Sequence, residues 1–439
     1  MRFGSLLVLL AVIVYCTPSE ADNWPQFRGA SQDYTFAAED IPTSWSDTTN
    51  IRWKVPIEGR GWASPVVWGN KIFIATAIKE SEGKDTAPPP DYRSGRVGKD
   101  SIYRWELHCI DRESGKELWK QIVFRGNPGV RTHPQNTYAS ETPATDGKHV
   151  YVYFGMVGLF CYDMDGKLVW KKDLGKYKMR GDWGTSTSPI LYEGRLYIQV
   201  DNEDECFLLA LDSGNGEEHW KVERPRGSSW STPYIWKNNV RTELVTNAED
   251  VRGYDPATGE LLWTLAYPGG RASSSPTGNA DVLIVGNERR NDGGGFMYAV
   301  NAGASGDITP IESASYSKGV LWSTAEASPE FASPLLYNGN VYLFGRNRGY
   351  TGAFNIMTGD PVQGTNRLPR ARPFWSSPWA YEGHVYCFDE GGTAFVLATD
   401  SEITLATTHA LGEDVRASPA ILEGTMIVRT ENHLVALGN

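Results

Sequence analysis

The sequence predicts an all-β fold, and three observations carry that prediction. A short unit recurs, in which an apolar run reaches an Asp, turns on a Gly and returns through a second run ending in Trp. It reads VRGYDPATGELLW at Val251–Trp263, LHCIDRESGKELW at Leu107–Trp119, LFCYDMDGKLVW at Leu159–Trp170 and LLALDSGNGEEHW at Leu208–Trp220. A second unit places small or hydroxyl residues before a Pro and an apolar run after it. It occurs at Pro65, Pro143, Pro189, Pro233, Pro276, Pro334, Pro378 and Pro419. The composition agrees, with 46 Gly, 16 Trp and 21 Tyr in 439 residues, as a turn-rich strand protein requires.

The Asp unit reads as a hairpin. An Asp side chain can accept turn N–H groups, and Gly takes the positive-φ position without a steric penalty. The Pro unit reads as a second hairpin. Pro tolerates the first position of an innermost strand, where one lost N–H matters little, and Gly69, Gly194, Gly339, Gly383 and Gly424 make its turns. A single hairpin cannot bury its own apolar face, so repetition implies stacked neighbours. Joined, the two hairpins give four strands per repeat of roughly forty residues, the pattern of a β-propeller blade.

Eight Pro units predict an eight-bladed propeller of four-stranded antiparallel blades over residues 50–439. The last repeat ends after its third strand near Leu434–Gly438, while Asn50–Ile57 (NIRWKVPI) is an orphan fourth strand whose Trp53 matches Trp119. The expectation is closure of the last blade by this N-terminal strand, which removes the free sheet edges. Longer intervals read as insertions: Lys79–Tyr103 inside blade one, Val123–Tyr138 between blades one and two, and Gly303–Lys318 inside blade five.

The N-terminus divides in two. Residues 1–21 read as an export signal, with Arg2, an apolar run from Leu6 to Tyr15 and the small-x-small site Ser19-Glu20-Ala21. Residues 22–49 read as an N-terminal extension that begins NWPQFRG and continues as a polar stretch. The protein is therefore expected in the periplasm or outside the cell, with possible association to the envelope membrane. A lipid anchor at Cys16 is disfavoured by Tyr15, where a lipobox has a small residue. Cys109, Cys161, Cys206 and Cys387 read as small buried strand residues rather than as a redox or zinc site. The net charge of -11 speaks against a nucleic-acid partner.

The strongest pattern beyond the fold precedes the blade prolines. Arg60, Arg180, Arg226, Arg271, Arg372 and Arg416 stand there, accompanied by Trp62, Trp183, Trp230 and Trp375. Segments that lead into innermost strands line one mouth of a propeller funnel, so these residues are expected around that mouth. Arg beside Trp suits carboxylates or an acidic peptide. Alternatively the Arg residues pair with acids of neighbouring loops, among them Asp201, Glu203, Glu249, Glu288, Asp389 and Glu390, and the Trp residues are inner core. Both readings fit the sequence.

With D-x-x-T/S-G-x-x-x-W at Asp111–Trp119 and Asp255–Trp263, and S-P-x-x-x-x-G-x-V/I-Y/F at the Pro units, the chain resembles the PQQ-type propeller repeats. The resemblance implies that Trp119, Trp170, Trp220, Trp263 and Trp322 pack between blades. Blades six and seven depart from it, with no such Trp at Asp360–Val362 or Ile403–Leu411. That family holds quinoprotein dehydrogenases, which carry pyrroloquinoline quinone, and non-catalytic propellers such as the lipoprotein of the outer-membrane assembly machinery. The chain has no vicinal Cys pair and no recognisable metal constellation. The expectation is a monomeric, non-catalytic binding or scaffold module with a protein or peptide partner and no cofactor. A quinone with calcium enters only under the dehydrogenase alternative, and a glycan-binding module is a second alternative.

Overall fold

The computed structural model describes residues 23–36, 40–81, 100–266, 268, 271–288, 295–311, 314–345, 349–400 and 402–438. The stretch expected to be an export signal, Cys16 and the Pro-rich tip of the blade-one insertion lie outside these residues. Eight antiparallel sheets stand in a ring, each starting one residue after a blade proline. Blade one runs Val66–Trp68, Lys71–Ser81, Ile102–Asp111 and Glu117–Gly126, so its fourth strand absorbs the start of the Val123–Tyr138 connection. The orphan strand is Ile51–Pro56, and it pairs antiparallel with His433–Leu437 as the outer strand of blade eight. The chain is an eight-bladed propeller closed by strands from both ends.

The hairpin chemistry is as the sequence implies. The Asp255 carboxylate accepts from the N–H groups of Ala257 (2.8 Å) and Thr258 (2.9 Å), and Gly259 takes φ 76°. Each outer Trp then reaches the next blade's turn. The indole N–H donates to the carbonyl one residue past that turn's Asp or Asn: Trp53 to Arg112, Trp119 to Met164, Trp170 to Ser213, Trp220 to Pro256 and Trp322 to Ile356. The turn Gly is required there, because a Cβ on Gly115 would lie 2.8 Å from the Trp53 ring.

Trp263 departs from this rule. Its indole donates to Glu243 of its own blade (2.5 Å), over Gly253, where any Cβ would clash. The neighbouring turn in blade five lacks the Asp–Gly spacing that would receive it. The Gly303–Lys318 excursion has another use, since its strand Gly306–Asp307 adds in parallel to the outer edge of blade four.

The N-terminal extension, beginning with NWPQFRG itself, is packed into the ring. Residues Trp24–Phe36 pass across the axis and bond to every blade. Trp24 exchanges backbone bonds with Val67 of blade one at 2.8 Å, and Pro25 accepts from Thr145 of blade two at 2.8 Å. The side-chain oxygens of Gln26 and Gln32 accept from Leu191 (2.8 Å) and Ile235 (3.2 Å) in blades three and four. Arg28 donates to Thr277 Oγ1 (2.6 Å) and Pro276 O (3.3 Å) in blade five, and to Pro334 O (3.2 Å) in blade six. Thr35–Phe36 pairs in parallel with Trp379–Tyr381 of blade seven, and the Tyr34 hydroxyl donates to Pro419 O of blade eight (2.7 Å).

This path needs tight turns, and Arg28, Gln32 and Tyr34 all adopt the left-handed region at φ 65°, 61° and 57°. Non-Gly residues accept that conformation only where surrounding contacts fix it. The plug therefore closes one end of the channel as part of the core.

Candidate functional site

On the side of the blade leads, the plug leaves a cavity of about 160 Å³. One water needs only about 10–15 Å³, so this is ligand-sized space. Phe27 of the plug is on its floor. Around that floor stands the residue before each blade proline, a hydroxyl in every blade. Blades one to four give Ser64, Thr142, Ser188 and Thr232, and blades five to eight give Ser275, Ser333, Ser377 and Ser418. The hydroxyls lace the ring. The N–H of Ser64 donates to Thr142 Oγ1 (3.0 Å), Thr142 to Ser188 Oγ (2.9 Å), Ser188 to Thr232 Oγ1 (3.0 Å) and Thr232 to Ser275 Oγ (2.9 Å). Ser275 donates to Ser333 Oγ (3.0 Å) and Ser377 to Ser418 Oγ (2.9 Å).

The next layer is the residue two positions earlier in each blade. It is aromatic in blades one, four, six and seven (Trp62, Trp230, Phe331, Trp375), Ser140, Ser186 and Ser273 in blades two, three and five, and Arg416 in blade eight. Trp183, Arg271, Glu288, Gln135 and Asn136 complete the wall. The rings are held in place. Trp375 stacks on Phe331 with centroids 4.4 Å apart and donates its indole N–H to Glu390 (3.0 Å). Trp183 stacks on His133 at 3.8 Å, and Trp230 donates to Gly184 O (2.7 Å). Trp62 has the Arg416 guanidinium 4.7 Å and the Arg60 guanidinium 5.5 Å from its ring centroid, and its buried indole N–H has no hydrogen-bond partner among the described residues.

All four expected Trp residues line the cavity, but only two of the six Arg residues do. Arg271 grips Glu288 through Nε (3.0 Å) and Nη2 (2.5 Å), and Arg416 lies 3.5 Å from Glu390. Arg60 is exposed and donates to Pro134 O (3.3 Å). Arg180 pairs with Glu203 (3.2 Å) and Glu249 (2.9 Å), and Arg372 reaches Asp414 (3.5 Å) from an exposed position. Arg226 is exposed, with no ion pair among the described residues. The rim is thus largely self-neutralised, as the pairing reading requires.

Chain offset explains part of the split. The residue two before the ring hydroxyl lines the cavity in every blade, and Arg416 occupies that place, while Trp183 reaches the cavity from five before. The other Arg residues stand farther back, and of these Arg271 alone reaches in.

Sequence reasoning missed several residues here. Phe331 occupies the Trp position of blade six, a signal that alignment on the prolines would have revealed. Gln135 and Asn136 come from the long blade connection and carried no signal. Asp201 serves Arg224 rather than the mouth, accepting from Nε (2.9 Å) and Nη2 (3.1 Å) in a fully buried pair. Glu141 is wholly buried behind the cavity wall. Burial pushes its carboxyl up, against hydrogen bonds from Thr185 and from the Ser140 and Gly155 N–H groups. Burial also raises the four thiols, that of Cys109 to about 12, and all four are free. Among the described residues, no group of three or more His, Cys, Asp or Glu is arranged to hold a metal ion.

The sequence pattern of the family described as outer membrane protein assembly factor BamB matches residues 104–365, more than half of the chain. The chain belongs to that family. Solved structures carry the BamB-type propeller further than sequence does. BamB from Moraxella catarrhalis superposes with a TM-score of 0.57 at 10% identity, over 88% of this chain and 96% of that one. Quinohemoprotein alcohol dehydrogenase from Comamonas testosteroni gives 0.59 at 13% identity, over 96% and 81%. The computationally designed Ika8 protein gives 0.56 at 11%, over 88% and 98%. At these identities the likeness is one of fold. No curated protein matches the sequence.

Proposed function

We propose that the mature protein is an exported, non-catalytic binding module whose site is the walled cavity above the plug. The observation that carries this reading is the wall itself. Five aromatic rings from five blades, four of them outside the apolar core, stand over a floor of hydroxyls and face one opening. Apolar walls with a few fixed polar groups are the usual make-up of a ligand site. We place the export signal at residues 1–21 and read residues 50–439 as the propeller, with the extension docked into it as a plug. Mass spectrometry of the mature protein checks the cleavage.

The lining does not fit a quinone with calcium. A tricarboxylated quinone needs free cations, and both cations of the wall are engaged by Glu288 and Glu390. The donor set beside them offers no cluster for a divalent ion among the described residues. A calorimetric titration with pyrroloquinoline quinone and calcium should show no saturable binding, and a low-micromolar dissociation constant would reverse this reading.

A protein partner is the second reading, favoured by kinship with a protein named as an assembly factor. Crosslinked pull-down from envelope extract tests both readings. Capture should fall when Trp230 and Trp375 are replaced by Ala, and equal capture by that variant would remove the cavity from the function.

A further inference from the structure

The chemistry of the wall narrows what can enter, and this step rests on the cavity being the binding site. The charges of the lining cancel. Arg271 is held by two bonds to one oxygen of Glu288, whose other oxygen takes the Ser273 hydroxyl, and Arg416 is shared between Glu390 and the faces of Trp62 and Trp375. An acidic ligand would have to break one of these pairs, and leaving a carboxylate buried without its cation is costly. An apolar ligand fares no better, because it would strip water from the hydroxyl ring without replacing the hydrogen bonds.

Apart from Arg416 Nε, a buried guanidinium N–H with no hydrogen-bond partner among the described residues, the unused groups are neutral, the Trp62 indole N–H among them. Thr142, Ser188, Thr232, Ser275 and Ser333 accept one backbone N–H each and retain an O–H to donate. The side-chain amide of Gln135 lines the cavity with no partner among the described residues. Above them the indoles of Trp230 and Trp375 have already spent their N–H groups on protein acceptors, so what they present to a ligand is carbon face. Carbon faces at the wall and hydroxyl and amide groups at the floor match a molecule with C–H faces and hydroxyl edges.

We propose that the cavity binds the end of a neutral saccharide. The plug fixes the topology of binding. Phe27 and the hydroxyl ring close the channel below, so a chain end enters and a chain cannot thread through.

The test is titration of the full-length protein, followed by tryptophan fluorescence and calorimetry, with maltohexaose, cellohexaose, xylohexaose, mannohexaose and chitohexaose, and with polyglutamate as the acidic probe. At least one oligosaccharide should bind saturably, with an affinity that does not change with salt. Trp230→Ala and Trp375→Ala should each weaken binding about tenfold or more, whereas Arg372→Ala, outside the cavity, should leave it unchanged. Gln135→Ala supports no other residue and gives a second readout should the Trp variants misfold; it should also weaken binding. Absence of binding by every oligosaccharide, or binding indifferent to all three cavity substitutions, overturns the saccharide assignment. Salt-sensitive polyglutamate binding that these substitutions abolish would overturn it too, while leaving the binding module intact.

Discussion

Arg28→Ala should destabilise the folded protein by about 2 to 4 kcal/mol through the axis of the ring. The side chain is 1% exposed and spans two blades with three hydrogen bonds, to Pro276 O, Thr277 Oγ1 and Pro334 O. Bonds from a charged donor contribute about 1.5 to 3 kcal/mol each, and an orphaned buried acceptor costs about 1 to 3 kcal/mol more. Thr277 Oγ1 keeps its own bond to Pro334 O, so Pro276 O is the orphan. Against this stands relief of a buried charge. No carboxylate lies within salt-bridge distance among the described residues, and burial pulls the guanidinium below its usual range. That relief is several kcal/mol, which is why the net falls well below the sum of the bonds. Denaturant unfolding gives the global change, and limited proteolysis of residues 24–36 gives the local one. Arg28→Lys should not rescue, since one ammonium cannot reach both carbonyls. A loss under about 0.5 kcal/mol with the plug still resistant to protease would refute the claim that Arg28 fastens it.

Glu413→Gln should flatten the acid limb of the stability profile. Burial alone would raise this carboxyl, but bonds from Lys54, His433 and Thr430 overcome it and hold it at about 2, against an ordinary 4.5. Its stabilisation is complete above about pH 4.5 and is lost as pH falls toward 2. Acid titration followed by circular dichroism measures this. Gly115→Ala adds a left-handed Ala at φ 69° and drives a Cβ into Trp53, so thermal unfolding should report a loss of about 2 to 4 kcal/mol. The four buried thiols should resist a disulfide reagent in the native protein and react only on unfolding; rapid native labelling of Cys109 would contradict its burial. Deleting residues 1–57 removes both plug and closing strand, and light scattering should show aggregation from the opened blade edge.

The ring was legible because its signals are local. Asp255, Gly259 and Pro276 each act within a few residues of themselves, and repetition multiplied the Pro signal over eight blades and the Asp–Gly–Trp signal over the first four. Trp53 was legible as the missing outer strand for the same reason, since it carries the pattern of Trp119. The plug was not legible. Gln26, Arg28 and Gln32 look like ordinary polar residues, and their partners Leu191, Thr277 and Ile235 are strand residues with nothing to mark them. The mouth was half legible. Trp62, Trp230 and Trp375 sit at one fixed offset from the proline and reach the cavity. Arg60, Arg226 and Arg372 sit at other offsets and stay outside it, yet Arg271, at the same offset as Arg60, reaches in, so offset alone does not decide the placement.

The plug also sets an order on how the chain can become the ring. Tyr34 bonds to Pro419 across 385 positions of sequence, and Ile51–Pro56 pairs with His433–Leu437. These segments leave the ribosome long before the partners they bond to. Blades can form one after another from their own local hairpins, but the axis cannot be filled nor the circle shut until the final strand exists. Contacts so distant along the chain are slow to form. Until they do, the nascent protein is an open arc, with an unpaired edge at its last blade and the plug residues unclaimed.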